Sequence, residues 1–199
     1  MTDTTRYTRP TALALFLIIA GAIGFAAAFA LTLDKILMLE NPTAQLSCNF
    51  SILVSCSTNL ASWQGEIFGF PNPLLGLAAW SVVITVGMAI LAGARFARWF
   101  WIALNVGFLA AIVFVVWLIY QSIFVLDVLC PWCMVTWSVT IPSFLAVTLY
   151  NFTTGNIPAP HVVRRVAGVG YSWLFVITIG CYIIFAVVAQ ANMDVLNRM

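Results

Sequence analysis

The sequence predicts an all-α integral membrane protein with five transmembrane helices. The first ground is the scarcity of charge: of 199 residues only 7% are Asp, Glu, Lys or Arg, while 63% are hydrophobic. A water-soluble domain carries about 25% charged residues, so this chain cannot cover a surface facing water and must be solvated by lipid. The second ground is where charge is missing. Residues 11–33, 67–94, 99–126, 128–163 and 166–193 contain none, and each can supply the roughly 20 residues that carry an α-helix across about 30 Å of hydrocarbon. The third is the absence of the alternating segments of about 10 residues that barrel strands require.

Taken in order, the spans are expected at 11–33, 72–93, 98–120, 130–150 and 170–190. The first is too long for an ordinary signal-peptide core and is followed by similar spans, so it reads as a mature helix. In the loop 34–71, Ser57-Thr58 can start a short amphipathic helix. Trp63, Ile67, Phe68 and Phe70 would lay that helix on the membrane surface as a cap over the bundle. Asn72 and Pro73 read as the N-cap and first residue of the second span. Asn105 is a lone polar group in the third, suited to helix–helix contact. The fourth narrows to 130–150 because a polar tail and His161 follow it.

Orientation follows from the basic residues. Arg6 and Arg9 precede the first span, Arg95 and Arg98 separate the second and third, and Arg164 and Arg165 separate the fourth and fifth. All fall on one side if the helices alternate, against Lys35 and Arg198 on the other. The positive-inside rule places that side, and the N-terminus, in the cytoplasm of a multi-pass plasma-membrane protein. Loops 34–71 and 121–129 are then extracytoplasmic, where disulfides are permitted. Cys48, Cys56, Cys130 and Cys133 gather at that face; Cys181 lies inside the last span and reads as a small buried apolar residue. The chain ends just past the fifth span, so a water-soluble partner is expected to be a separate protein.

Cys130-Pro131-Trp132-Cys133 opens the fourth span. Pro131 suits the first helical turn, where a missing N–H costs nothing, and this puts Cys130 near the N-cap. A helix N-terminus favours a thiolate there. Two cysteines at this spacing can close a reversible disulfide, a minimal two-electron device. Cys48 and Cys56, eight apart in the first loop, form a second pair. Thiol–disulfide exchange proceeds by direct attack of sulfur on sulfur, so the two pairs make a relay from an external dithiol, through the loop pair and the helix pair, to a hydrophobic two-electron acceptor. A quinone meets both demands. Four thiolates can also hold zinc, but the spacing of Cys48 and Cys56 is wide for a zinc knuckle and no metal is expected. Purely structural disulfides are the other alternative. His161 is the only histidine, no phosphate-binding loop is present, and nucleic acid is not an expected partner.

These residues make the chain resemble the bacterial branch of the vitamin K epoxide reductase family. The resemblance rests on the Cys48/Cys56 spacing, on Gly69-Phe70-Pro71-Asn72 running into Gly76, and on Cys130-X-X-Cys133. It covers residues 12–150, and a fifth helix fits bacterial members. It implies a four-helix bundle enclosing a quinone, with the remaining helix outside. It also implies the roles: Cys133 contacts the quinone with Cys130 as its disulfide partner, Cys48 meets the external partner, and Cys56 passes electrons to Cys130. Asn72 would hydrogen-bond a quinone carbonyl. Many bacterial members carry a fused thioredoxin-like domain after the fifth helix; without one, a separate thioredoxin-fold protein of the DsbA type is the expected donor. Two positions depart from the animal members: Trp137 stands where they have a tyrosine proposed to bond the other carbonyl, and Pro73 where a serine often follows the asparagine. Both departures weaken epoxide reduction and leave quinone reduction intact.

The expected function is therefore oxidation of a secreted thioredoxin-fold protein coupled to reduction of menaquinone or ubiquinone. The rivals are a quinone or quinone-epoxide reductase fed by a small thiol, a DsbB-like enzyme by convergence, outward transport of reducing power, and a non-enzymatic transporter or scaffold. In the DsbB family the order of the two cysteine pairs is reversed. Outward transport needs cysteines reachable from the cytoplasm. Transport needs buried charges, which the spans lack.

Overall fold

Lipid offers the backbone no hydrogen-bond partner, so a chain this apolar must satisfy its peptide groups within helices. The computed structural model describes residues 10–46, 48–51 and 53–194. Those residues form α1 (Thr11–Glu40), α2 (Cys56–Ala61), a 3-10 turn (Trp63–Gly65), α3 (Pro73–Leu91), α4 (Arg98–Phe124), α5 (Pro131–Thr154), α6 (His161–Ser172) and α7 (Leu174–Met193). Of these, α1, α3, α4, α5 and α7 are long and apolar enough to cross a membrane. Among the described residues the only extended pairing is an isolated bridge between Val54 and Leu129. The chain is thus an all-α, multi-pass membrane protein. Arg6, Arg9 and Arg198 lie outside the described residues.

Several helix ends shift by a few residues from the sequence expectation, and two of the differences have a clear physical reason. The 30 residues of α1 rise about 45 Å, more than the roughly 30 Å of hydrocarbon. The helix therefore runs past Leu33 to Glu40 and carries Asp34 and Lys35 out of the apolar zone. At the other end of the chain, the stretch expected as one span breaks at Trp173. There α6, with Arg164 and Arg165 among exposed valines, gives way to the charge-free α7. Gly155 ends α5 in the left-handed conformation, φ 78°, the usual helix stop.

α1 lies along α3 and α5, α4 closes against α5, and α7 packs outside on α5 and α4. Small residues permit the closest approach: a Cβ on Gly24 would fall inside the Trp80 indole, and one on Gly87 would lie 2.7 Å from Ile18 Cγ1. The packed core, with Leu13, Leu17, Ile90, Trp101 and Val147, fills the arginine-bearing half of the bundle. There Asn151, fully buried, donates to the Trp101 carbonyl (3.0 Å) and to Asn105 Oδ1 (3.3 Å). Asn105 therefore has a polar partner on α5 and joins α4 to it.

Pro142 sits inside α5 and has no N–H for the carbonyl four residues earlier, that of Ser138. Tyr182 of α7 donates its hydroxyl to that carbonyl. In lipid such a freed carbonyl has to be satisfied by protein, which explains why α7 docks at this level. Tyr182→Phe should destabilise the protein by about 1 kcal/mol, read as a lower melting temperature in detergent with the cysteine chemistry unchanged. Cys181 beside it is half-buried rather than enclosed.

Candidate functional site

The two cysteine-bearing loops are held in register by the bridge. Ser55 N–H donates to the Leu129 carbonyl (3.0 Å) and Leu129 N–H to the Leu53 carbonyl (2.8 Å). The next residue on each strand is a cysteine, Cys56 on one and Cys130 on the other. The start of α2 is fixed by a residue the sequence reading did not single out. Asn49 Oδ1 accepts from the backbone N–H of Cys56 (3.0 Å) and Ser57 (3.2 Å) and from the Ser55 hydroxyl (2.9 Å). It performs the capping that the N-cap residue Ser55 does not. The helix begins at Cys56 rather than at Ser57.

Cys48 and Cys56 are joined in a disulfide, and Cys130 and Cys133 are free thiols. Cys130 is the N-cap of α5, and its sulfur accepts from the Cys133 backbone N–H (3.4 Å). The same sulfur lies 3.6 Å from Cys56 Sγ. Hydrogen bonding holds the Cys130 thiol below its ordinary pKa. The contact with the Cys133 thiol contributes most, the Cys133 and Trp132 N–H groups add to it, and burial and the Asp34 charge oppose it. Cys130 is thus a nucleophile in reach of a disulfide.

Asp34 Oδ2 lies 3.3 Å from Cys48 Sγ, and Asp34, Cys48 and Cys56 converge within 4.8 Å. The two sulfurs are bonded to each other and offer no thiolate to a metal, so in this state the cluster is redox chemistry with a carboxylate beside it. Cys48, Cys56 and Cys130 are all buried, packed with Leu31, Leu46 and Leu60. Lys35 fastens the cover: its ammonium donates to the Leu60 carbonyl (2.7 Å) and pairs with Glu66 (2.6 Å). An Asp34-Lys35 pair at the end of an apolar span was the available sequence signal for this clamp.

Below the relay is a cavity of about 730 Å³, within the size range of sites for small organic molecules. From α5 it is lined by Cys133, Thr136, Trp137 and Thr140, one face at helical spacing. Trp80 of α3, Phe108 and Phe114 of α4 and Leu31 of α1 supply apolar walls, and no residue of α7 takes part. The segment 59–72 forms the roof, where Trp63 packs on Trp117 (5.9 Å) and Phe68 on Phe114 (6.0 Å). Trp137 is buried edge-on against Phe185 (5.5 Å). Asn72 lines the cavity but does not cap α3 with its side chain. Its Nδ2 donates instead to the Gln64 carbonyl (2.6 Å), and its Oδ1 accepts from Ile67 N–H (3.3 Å). The structure thus brings Cys48, Cys56 and Cys130 together, and sets Cys133, Asn72 and Trp137 on the wall of one cavity.

A membrane bundle with a nucleophilic thiol against a disulfide, and a second thiol on an apolar cavity, defines a membrane thiol–disulfide redox protein. The family comparison agrees: residues 15–148 match the model of the vitamin K epoxide reductase family. The chain belongs to that family, whose members are membrane oxidoreductases that use quinones. Curated proteins gave no match.

Proposed function

We propose that the protein oxidises the dithiol of an extracytoplasmic thioredoxin-fold protein and passes the two electrons to a membrane quinone, menaquinone or ubiquinone. The observation that carries this reading is the 3.6 Å separation of Cys130 and Cys56 sulfurs, with Cys133 on the wall of a lipid-level cavity. A partner thiolate attacks Cys48, forms a mixed disulfide and releases Cys56; the partner's second thiol then displaces Cys48, leaving the partner oxidised and the loop pair reduced. Cys56 attacks Cys130 of the closed helix pair, releasing Cys133, and Cys48 closes on Cys56 to release Cys130. The loop pair is then oxidised and the helix pair reduced, which is the arrangement of the present structure. Cys130 and Cys133 finally deliver two electrons and two protons to the quinone and close their own disulfide. Asn72 carries a second amide hydrogen beyond the one given to Gln64, and that hydrogen suits a quinone carbonyl. The basic residues at the far end of the bundle support a cytoplasmic N-terminus with the cysteines outside.

The direct test is quinol formation, followed by ultraviolet absorbance, with purified protein and a reduced thioredoxin-fold donor. Turnover is expected; none with several quinones and a folded protein would favour structural disulfides. Transfer from the reduced helix pair back to the loop disulfide, in which Cys130 is the attacking thiolate, should show an acid limb set by Cys130. This transfer persists below the ordinary thiol range and falls as pH drops through the depressed value. Asp34→Asn removes a charge that opposes the thiolate, so the limb should move to lower pH. A move to higher pH would show that Asp34 helps the thiolate instead.

A further inference from the structure

Buried polar groups in native proteins are nearly always hydrogen-bonded, and the exceptions require explanation. Two exceptions sit in the roof of the cavity: Asn59 Nδ2 and Gln64 Oε1 are buried and have no partner, and both residues line the space beneath. The other end of each amide is occupied. Ser122 hydroxyl donates to Asn59 Oδ1 (3.4 Å), and Gln64 Nε2 donates to Gln121 Oε1 (3.2 Å). Gln64 is only 4% exposed, so water outside cannot serve its oxygen. Each amide is thus held from behind with one unused atom, a donor from Asn59 and an acceptor from Gln64.

We infer that Asn59 and Gln64 form a donor–acceptor pair that binds the polar head of the redox ligand and distinguishes its two oxidation states. This rests on the quinone reading above. A quinone oxygen only accepts hydrogen bonds, so it suits the Asn59 N–H and is repelled by the Gln64 oxygen. A quinol hydroxyl donates, so Gln64 accepts from it while Asn59 still donates to a hydroxyl oxygen. Asn59 then supports both forms, and Gln64 favours the reduced one. The pair lowers the free energy of the reduced ligand relative to the oxidised one without touching the sulfurs. Asn72 has both polar atoms engaged with the loop backbone and keeps only its second amide hydrogen for a ligand, so it adds a donor to the pair and no acceptor.

The test is binding and turnover in the full-length protein with a soluble short-chain quinone and its quinol as probes. Affinities are read by quenching of tryptophan emission, since Trp80, Trp99 and Trp137 line the cavity. Asn59→Leu should raise the quinone KM about tenfold, the scale of one neutral hydrogen bond, and weaken quinol to a similar extent. Gln64→Met should weaken quinol about tenfold and leave quinone as tightly bound as before or tighter. Ser122→Ala, which touches the amide and not the cavity, should reproduce part of the Asn59→Leu effect. Loop-to-helix electron transfer, measured by thiol mapping after one equivalent of donor, should match wild type in all three. Unchanged KM in folded Asn59→Leu, or equal losses of quinone and quinol in Gln64→Met, would overturn the inference. A wild-type protein that binds and reduces no quinone would instead overturn the reading it rests on.

Discussion

Replacing Cys133 by alanine should reduce quinol formation by on the order of 10⁴-fold or more, the scale of losing an essential nucleophile. It should do so without removing either sulfur of the loop pair. Cys133 lines the cavity, and it is the thiol released when Cys130 is attacked. Without it the helix pair cannot close, and one disulfide is left to be shared among Cys48, Cys56 and Cys130. The 3.6 Å approach of Cys130 to Cys56 means that this disulfide can move. In a Cys48→Ser, Cys133→Ala double variant only those two relay sulfurs remain, and mild oxidation should join them. Peptide mapping by mass spectrometry would find the Cys56–Cys130 link. Quinol formation at the wild-type rate in Cys133→Ala would remove Cys133 from the quinone end of the relay. Failure of the double variant to cross-link would show that Cys56 and Cys130 do not exchange.

Much of the architecture was legible because lipid imposes a coarse rule. Charge-free stretches had to be helices, and the described residues include five helices able to span. Where charge marks a boundary imperfectly, the reading slipped. Asp34 and Lys35 end the apolar composition but not α1, because a helix can continue into the polar zone, and Lys35 there finds Leu60 and Glu66. Conversely, apolar composition continues across Trp173 while the helix breaks there. The cysteines were legible because so few residue types can perform two-electron exchange. The residues that aim them were not. Asn49 is an ordinary loop asparagine until the fold brings its oxygen to three donors around Cys56. Asn72 was correctly placed at a helix start, yet its side chain turns back to Gln64 and Ile67, a choice that depends on loop geometry absent from local sequence. Asn59 and Gln64 lie in the segment expected to form a surface helix, and their place in the roof depends on how α2 and the 3-10 turn fold over the cavity.

Leu129→Pro should slow loop-to-helix transfer by about 10²-fold, the usual consequence of moving a reacting atom by about 1 Å. The Leu129 N–H bonds the Leu53 carbonyl at 2.8 Å, and proline has no N–H to give. Half of the bridge that sets Cys56 against Cys130 is then lost, while both thiols remain one residue away. Leu129 is also buried among Val54, Ile123 and Met193, so loss of packing must be separated from loss of register. Leu129→Ala does this: it keeps both backbone bonds and removes the side chain, and it should lower the melting temperature while leaving transfer within a fewfold of wild type. A small dithiol that reduces the Cys130–Cys133 pair directly should restore quinone reduction in Leu129→Pro, because the helix pair and the cavity do not depend on the bridge. If the small dithiol fails to rescue, the substitution has damaged the quinone end and says nothing about register. If Leu129→Ala slows transfer as much as Leu129→Pro, packing of the loop holds the two sulfurs together and the bridge is incidental. The expected pattern, slow transfer only when the N–H is lost and full rescue by direct reduction, would make two backbone hydrogen bonds the device that aligns the relay.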